Sequence, residues 1–321
     1  SITLQSPVNN LETTATECTF KWAAKVGTLK NTGERAVHIT GYTFYLAKVG
    51  EAYGNGVQVN VNAYTVQTLE HNTVYKWQVK VHQSDGKTAL SGERILKPVM
   101  GKVILFDKAG TIRAVCDKLD EAITSATTDD FNRIIIYENL ETLGPINIDH
   151  KELLIEKDKP EIQAIVTGAL IDRGFYITND SSVTLDGLMI TNSIANTTIA
   201  SGYGGGIYAI HSSLFIKNTL ISTSKTSGLG VGGGLFAEQS RVTLQQSTIM
   251  FNESRMGGGI VLFNCYSAQV TDCYIGSNQA TDDDNGGGIV IQNNQTPAVI
   301  YSNQFKNNTG GGLVVQGSAV L

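Results

Sequence analysis

The sequence predicts an all-β chain: an N-terminal antiparallel β-sandwich, then a right-handed parallel β-helix with a capping α-helix at its start. Three observations carry this. Glycine triplets recur at Gly204–Gly206, Gly232–Gly234, Gly257–Gly259, Gly286–Gly288 and Gly310–Gly312, their starts 24 to 29 residues apart, each followed by a short apolar run. A period of this size marks stacked units. Nine-residue segments align in step with the triplets. Before residue 98 the pattern is different, with short runs alternating at period two.

Residues 1–98 form the first domain. CTFKW (18–22), VQVNVNAY (57–64) and VYKWQVKV (74–81) alternate apolar with polar residues. ITGYTFYLAK (39–48) is rich in β-branched and aromatic residues, and a last short strand is expected near Arg94–Leu96, after an Asp85-Gly86 turn. Short strands at regular spacing predict an antiparallel sandwich. With Trp22 on the second strand and the run from Leu69 through Tyr75, Trp77, Val79 and Val81, the segment resembles a fibronectin type III domain. The resemblance implies a corner in which the Tyr75 hydroxyl ties back to backbone near Leu69. It also implies a spacer or docking module beside extracellular domains. No Arg-Gly-Asp is present.

Residues 99–130 are a linker and capping helix. After VILF (103–106), Ile112, Val115, Cys116, Leu119, Ala122, Ile123 and Ala126 fall on one helical face. The spacing predicts a helix of about four turns with Thr111 as N-cap. The open end of a stack exposes unpaired edges and an apolar core, so the helix is expected to plug it.

Residues 131–321 form the stack. LDGLMITNS (185–193), IKNTLISTS (216–224), LQQSTIMFN (244–252), VTDCYIGSN (270–278) and IYSNQFKNN (300–308) align without gaps. Their first and sixth positions are apolar, and the ninth is Ser193, Ser224, Asn252, Asn278 or Asn308. Equivalent residues of adjacent coils lie about 4.8 Å apart, so inward positions pack on copies of themselves. A repeated Asn can bond its neighbours above and below. A propeller blade needs a longer repeat of four strands, and a leucine-rich horseshoe needs a pattern absent here. The strict Phe305-x-x-Asn308, its relaxed copies Ile249-x-x-Asn252 and Ile275-x-x-Asn278, and the triplets are similar to the paired repeats of polymorphic outer-membrane protein adhesins. Those carry Gly-Gly-Ala-Ile, where this chain has a third Gly. More broadly the segment resembles the pectate-lyase-like superfamily. SAVL (318–321) begins another copy, so the stack is expected to be truncated at its C-terminus. Further β-helix coils or another subunit are the expected partners there.

Composition bounds the function. Charged residues are 17% and the net charge is −5, with no basic run, which argues against a nucleic-acid partner. No apolar stretch approaches a membrane span. Cys18, Cys116, Cys265 and Cys273 form no C-x-x-C pair. Buried unpaired thiols are the expectation, with a Cys265–Cys273 bridge as the alternative. Asn-x-Ser/Thr sequons begin at Asn179, Asn196, Asn252, Asn294 and Asn307.

The loops before the triplets hold Lys225, then Glu253 and Arg255, then Asp282, Asp283 and Asp284. A base beside clustered carboxylates suits a calcium-dependent polysaccharide lyase: calcium takes the carboxylates, and Arg255 or Lys225 removes the proton. The alternative is a solvated loop row. Asp172-Arg173 is expected in a solvent-facing turn. Tyr203, Tyr208, Tyr266 and Tyr301 are candidates for stacking on sugars. The polygalacturonase signatures Asn-Thr-Asp, Gly-Asp-Asp, Gly-His-Gly and Arg-Ile-Lys are absent. Two readings follow. The first is a non-enzymatic extracellular or cell-surface protein: an adhesin, a cell-envelope component or a carbohydrate-contacting stalk, meeting a polysaccharide or a neighbouring surface. The second is a calcium-dependent polysaccharide lyase or other carbohydrate-active enzyme.

Overall fold

The computed structural model describes residues 2–8, 11–13, 17–26, 37–70, 73–98, 101–196, 202–282 and 285–321. The chain divides into two compact units, Ser1–Gly101 and Lys102–Leu321.

The first unit is a sandwich of nine described strands: β1 (Ile2–Ser6), β2 (Leu11–Thr13), β3 (Cys18–Ala24), β4 (Ile39–Lys48), β5 (Val57–Val59), β6 (Ala63–Val66), β7 (Tyr75–Gln83), β8 (Thr88–Leu90) and β9 (Arg94–Pro98). One sheet has the order β1-β3-β6, the other β2-β9-β7-β4-β5 with β8 beside β7. Alternation explains the layering: Tyr75, Trp77, Val79 and Val81 are buried, while Lys76, Gln78 and Lys80 are half-buried. The two inner faces meet where the Phe20 ring packs edge-on against Trp77, centroids 5.0 Å apart. Backbone N–H of Glu70 donates to the Tyr75 hydroxyl at 3.0 Å, beside buried Leu69. VQVNVNAY, expected as one strand, is two. β5 pairs with β4 and β6 pairs with β3, so the chain changes sheets between them. Local alternation cannot show that crossing.

The second unit opens with a hairpin, β10 (Val103–Asp107) and β11 (Ile112–Cys116), then α1 (Leu119–Ser125). The predicted four-turn helix is therefore corrected to seven residues. Its first half is extended because Asp107 fixes a turn, its carboxylate accepting from the N–H groups of Ala109 and Thr111 at 3.0 and 2.8 Å. Pairing then favours the β-branched Ile112 and Val115 as strand. Thr111 belongs to that turn, and Lys118 is the N-cap. The plugging role stands: Leu119, Ala122 and Ile123 enter one apolar core with Ile134, Ile146 and Ile148 of the first coil. Lys151 Nζ donates to the carbonyls of Ile123 and Ala126 at 2.6 and 2.8 Å, satisfying the end of α1. β10 lies antiparallel along the first stack strand, Phe131–Ile136, and covers its edge.

Beyond this cap the chain is a right-handed parallel β-helix. Two of its sheets are seven strands deep; a third shares its path with β10 and β11, and two-residue strands form a fourth of four strands. The sheet whose strands follow the triplets, called the glycine sheet below, comprises Ile146–Asp149, Phe175–Thr178, Ile207–Ile210, Leu235–Glu238, Ile260–Phe263, Ile289–Gln292 and Leu313–Gln316. Leu185, Ile216, Leu244, Val270 and Ile300 are consecutive register partners, the interior column the alignment required.

Each tight corner is a left-handed residue followed by a ladder residue. Thr223, Phe251, Ser277 and Asn307 have φ of 48°, 56°, 55° and 54°. Behind them Ser224 N–H donates to Asn252 Oδ1, Asn252 N–H to Asn278 Oδ1 and Asn278 N–H to Asn308 Oδ1, at 3.0 to 3.1 Å. Two more ladders use Thr219, Ser247, Cys273 and Asn303, and Ser212, Ser240, Cys265, Asn294 and Ser318. Cys265 and Cys273 are thus buried in different ladders, and all four thiols are free. Asn252 and Asn294 are buried ladder members, whereas Asn179 and Asn307 stand exposed at corners.

Candidate functional site

The triplets create the site. Gly204, Gly232 and Gly257 take φ of 64°, 68° and 63°, turning the chain from the preceding loop into the glycine sheet. The third glycines stack: a Cβ on Gly206, Gly234 or Gly259 would lie 2.6 Å from the carbonyl of Gly234, Gly259 or Gly288 in turn. The loops therefore pass close to the sheet and wall its outer face. Val231 and Met256 bridge in that wall.

In the glycine-sheet strands the first and third residues point inward, leaving the second and fourth outside. The second positions give a column of Tyr176, Tyr208, Phe236, Val261, Val290 and Val314. Tyr208 stacks on Tyr176 at 5.2 Å and on Phe236 at 5.6 Å, with Tyr203 of the wall 4.8 Å from Phe236. The fourth positions include Asp149, Thr178, Ile210, Glu238, Phe263 and Gln292. Between wall and sheet lies a pocket of about 250 Å³, floored by Phe236, Glu238 and Phe263 and walled by Tyr203, Arg255 and Met256. A second hollow of about 400 Å³ on the same face gathers Asn147, Asp149, Tyr176, Thr178 and Asn179.

Arg255 enters the pocket wall. Its Nη1 donates to Asp282 Oδ2 at 3.2 Å, and both side chains are partly exposed. Such a pair is worth about 0.2–1 kcal/mol. Lys225 sits on the two-residue sheet, in register with Glu253 and outside the pocket lining. Asp283 and Asp284 lie outside the described residues. Calcium takes 6–8 oxygens, and the described part of the aspartate run offers one carboxylate, already facing a guanidinium. Among the described residues no three His, Cys, Asp or Glu cluster for a metal, so those residues do not fit that ion.

Arg173 is corrected from a solvent-facing turn to a buried position, 1% exposed. Its guanidinium stacks 5.5 and 5.3 Å from the Tyr176 and Tyr208 ring centroids, a contact that favours a partly desolvated cation. Burial, then the nearby Glu238 carboxylate, pushes the Tyr208 hydroxyl up to about 12. Of the four tyrosines proposed for sugar stacking, Tyr203 and Tyr208 join this face. Tyr266 packs under Arg241, and Tyr301 is exposed on another sheet. Phe236, Glu238 and Phe263 escaped sequence reading, although each stands at the second or fourth position after a triplet.

A family model described as a right handed beta helix region matches residues 172–321. The solved structure of a Yersinia enterocolitica family 28 exopolygalacturonase aligns over 99% of this chain and 86% of its own, at 11% identity and a TM-score of 0.20. A search of curated proteins found no match. No described helix is long and apolar enough to cross a membrane.

Proposed function

We propose that this chain is a non-enzymatic extracellular or cell-surface β-helix protein that contacts carbohydrate, an adhesin or cell-envelope component, with the outer face of its glycine sheet as the contact surface. The observation that carries this reading is the pocket between Tyr203, Phe236 and Phe263, where flat apolar rings stand beside the Arg255 donors and the Glu238 acceptor. Sugars present apolar ring faces and polar edges, so rings flanked by directional hydrogen-bonding groups suit them. The Glu70–Tyr75 corner supports reading the first unit as a fibronectin-type spacer. The polysaccharide-lyase reading keeps one supporting observation, that Arg255 does reach Asp282. A guanidinium committed to a carboxylate is a poor proton acceptor, which favours the first reading.

Affinity electrophoresis through gels containing a panel of glycans tests the proposal. Retardation lost in Phe236→Ala supports it. The same panel, incubated with calcium and followed in the ultraviolet, tests the lyase: unsaturated product that disappears in Arg255→Ala would replace the first reading with the second.

A further inference from the structure

Charge on the glycine-sheet face is one-sided. Among the described residues lining its two hollows, Asp149 and Glu238 carry carboxylates and Arg255 is the one cation. Arg255 is already turned to Asp282. Arg173 lies behind the tyrosine rings, too buried to meet a ligand. The imidazoles of His150 and His211 bond to the Asn179 carbonyl and the Gln239 side chain at the corner closing the sheet. Asp149 accepts from the Asn179 amide at 2.6 Å, which fixes its carboxylate in place. Each hollow therefore offers aromatic surface, hydrogen-bonding groups and one anion: Tyr176 with Asp149 in one, and in the other Phe236 with Glu238, beside an Arg255 already engaged by Asp282.

Resting on the carbohydrate reading above, we infer that this face takes an uncharged glycan and rejects polyuronates, with Glu238 and Asp149 as the residues that discriminate. A polyuronate brings one carboxylate per sugar and meets a carboxylate in both hollows, Asp149 held by Asn179 in one and Glu238 in the other. Like charges brought together oppose binding where the one cation in the described lining, Arg255, already faces Asp282, and more strongly beside low-dielectric rings than in open water. A neutral sugar loses nothing by this and gains two acceptors for its hydroxyls. Specificity of this kind comes from a repulsive element as much as from an attractive one.

The test compares polygalacturonate with its fully methyl-esterified form, which keeps the backbone and removes the charge, alongside neutral glycans including a β-glucan. Wild type, Phe236→Ala, Glu238→Gln and the double variant Asp149→Asn/Glu238→Gln are run in affinity gels at low salt, with folding checked by circular dichroism. The expected result is retardation by neutral chains or the ester, weaker by at least about fivefold on polygalacturonate. That gap should narrow in Glu238→Gln, close further in the double variant and shrink with added salt. Wild-type binding to polygalacturonate as tight as to uncharged chains, and lost in Phe236→Ala, overturns the inference while leaving the carbohydrate reading intact. So does a Glu238→Gln variant with unchanged discrimination. No retardation by any glycan overturns the carbohydrate reading itself.

Discussion

Asn252 donates its side-chain amide to Asn278 Oδ1 at 3.0 Å, and Asn278 repeats the gesture to Asn308 at 3.1 Å, inside the stack. Each amide also donates to the backbone one coil back, Asn252 to Ile221 and Asn278 to Ile249. A side chain that serves the coil on either side ties three coils together, so its loss is felt as unsatisfied buried backbone as well as a missing bond.

Replacing Asn278 by leucine should therefore cost about 2–3 kcal/mol in urea unfolding. Asn278→Ser should cost less, because Ser193 and Ser224 hold the equivalent place in other coils. Equal losses for the two variants would show that volume, not hydrogen bonding, governs the position.

The glycine rows make a sharper distinction. Gly259→Ala places a Cβ 2.6 Å from a backbone carbonyl, a clash no rotamer relieves, and should destabilise by about 2 kcal/mol or more. Gly92→Ala meets nothing within 4 Å and should stay within about 0.5 kcal/mol of wild type. Unfolding midpoints of the two proteins check this directly.

α1 is short, lacks a side-chain N-cap bond and is held by what it covers. Ile123→Ala removes a nearly buried side chain from the core it shares with the first coil. A loss of about 2–4 kcal/mol is expected, with increased binding of a hydrophobic dye. A neutral result would mean that the first coil closes without the helix.

Tyr208 gives the alkaline limb of stability a definite shape. Its hydroxyl is raised in the folded protein from 10.0 to about 12, mainly by burial. Between those values the unfolded chain releases a proton that the folded one keeps. The contribution is thus intact below pH 10 and lost as pH rises through about 12. Tyr208→Phe should flatten that part of the profile, measured as urea stability against pH. An unchanged slope would place the cause elsewhere.

Much of the stack was legible because its constraints are local and repeated. Leu244, Val270 and Ile300 had to be apolar to lie on one another, and Asn278 and Asn308 had to be polar to share a ladder. The capping helix was overextended because Ile112 to Cys116 fit a helical face as well as a strand. What decided it was a carboxylate at Asp107 and a hairpin partner strand just before it, neither of which shows in the periodicity of residues 112–116. The pocket was harder to read. Lys225 and Arg255 looked equivalent in aligned loops, yet one lies in a two-residue strand and the other enters the groove wall. Arg173 looked solvent-facing until Tyr208, 35 residues on, closed over it.

The spacing of the ladders has a consequence for how such a molecule can change. The last glycine of each triplet precedes a ladder residue by six positions: Gly206 to Ser212, Gly234 to Ser240, Gly259 to Cys265, Gly288 to Asn294 and Gly312 to Ser318. Five positions separate Thr219 from Ser224, Ser247 from Asn252, Cys273 from Asn278 and Asn303 from Asn308. Most length variation falls between the Ser or Asn corner and the next triplet, the stretch that builds the groove wall. Insertions and deletions can thus reshape the groove wall while the frame beneath keeps its register, so new surface shapes are open to this chain without a new fold.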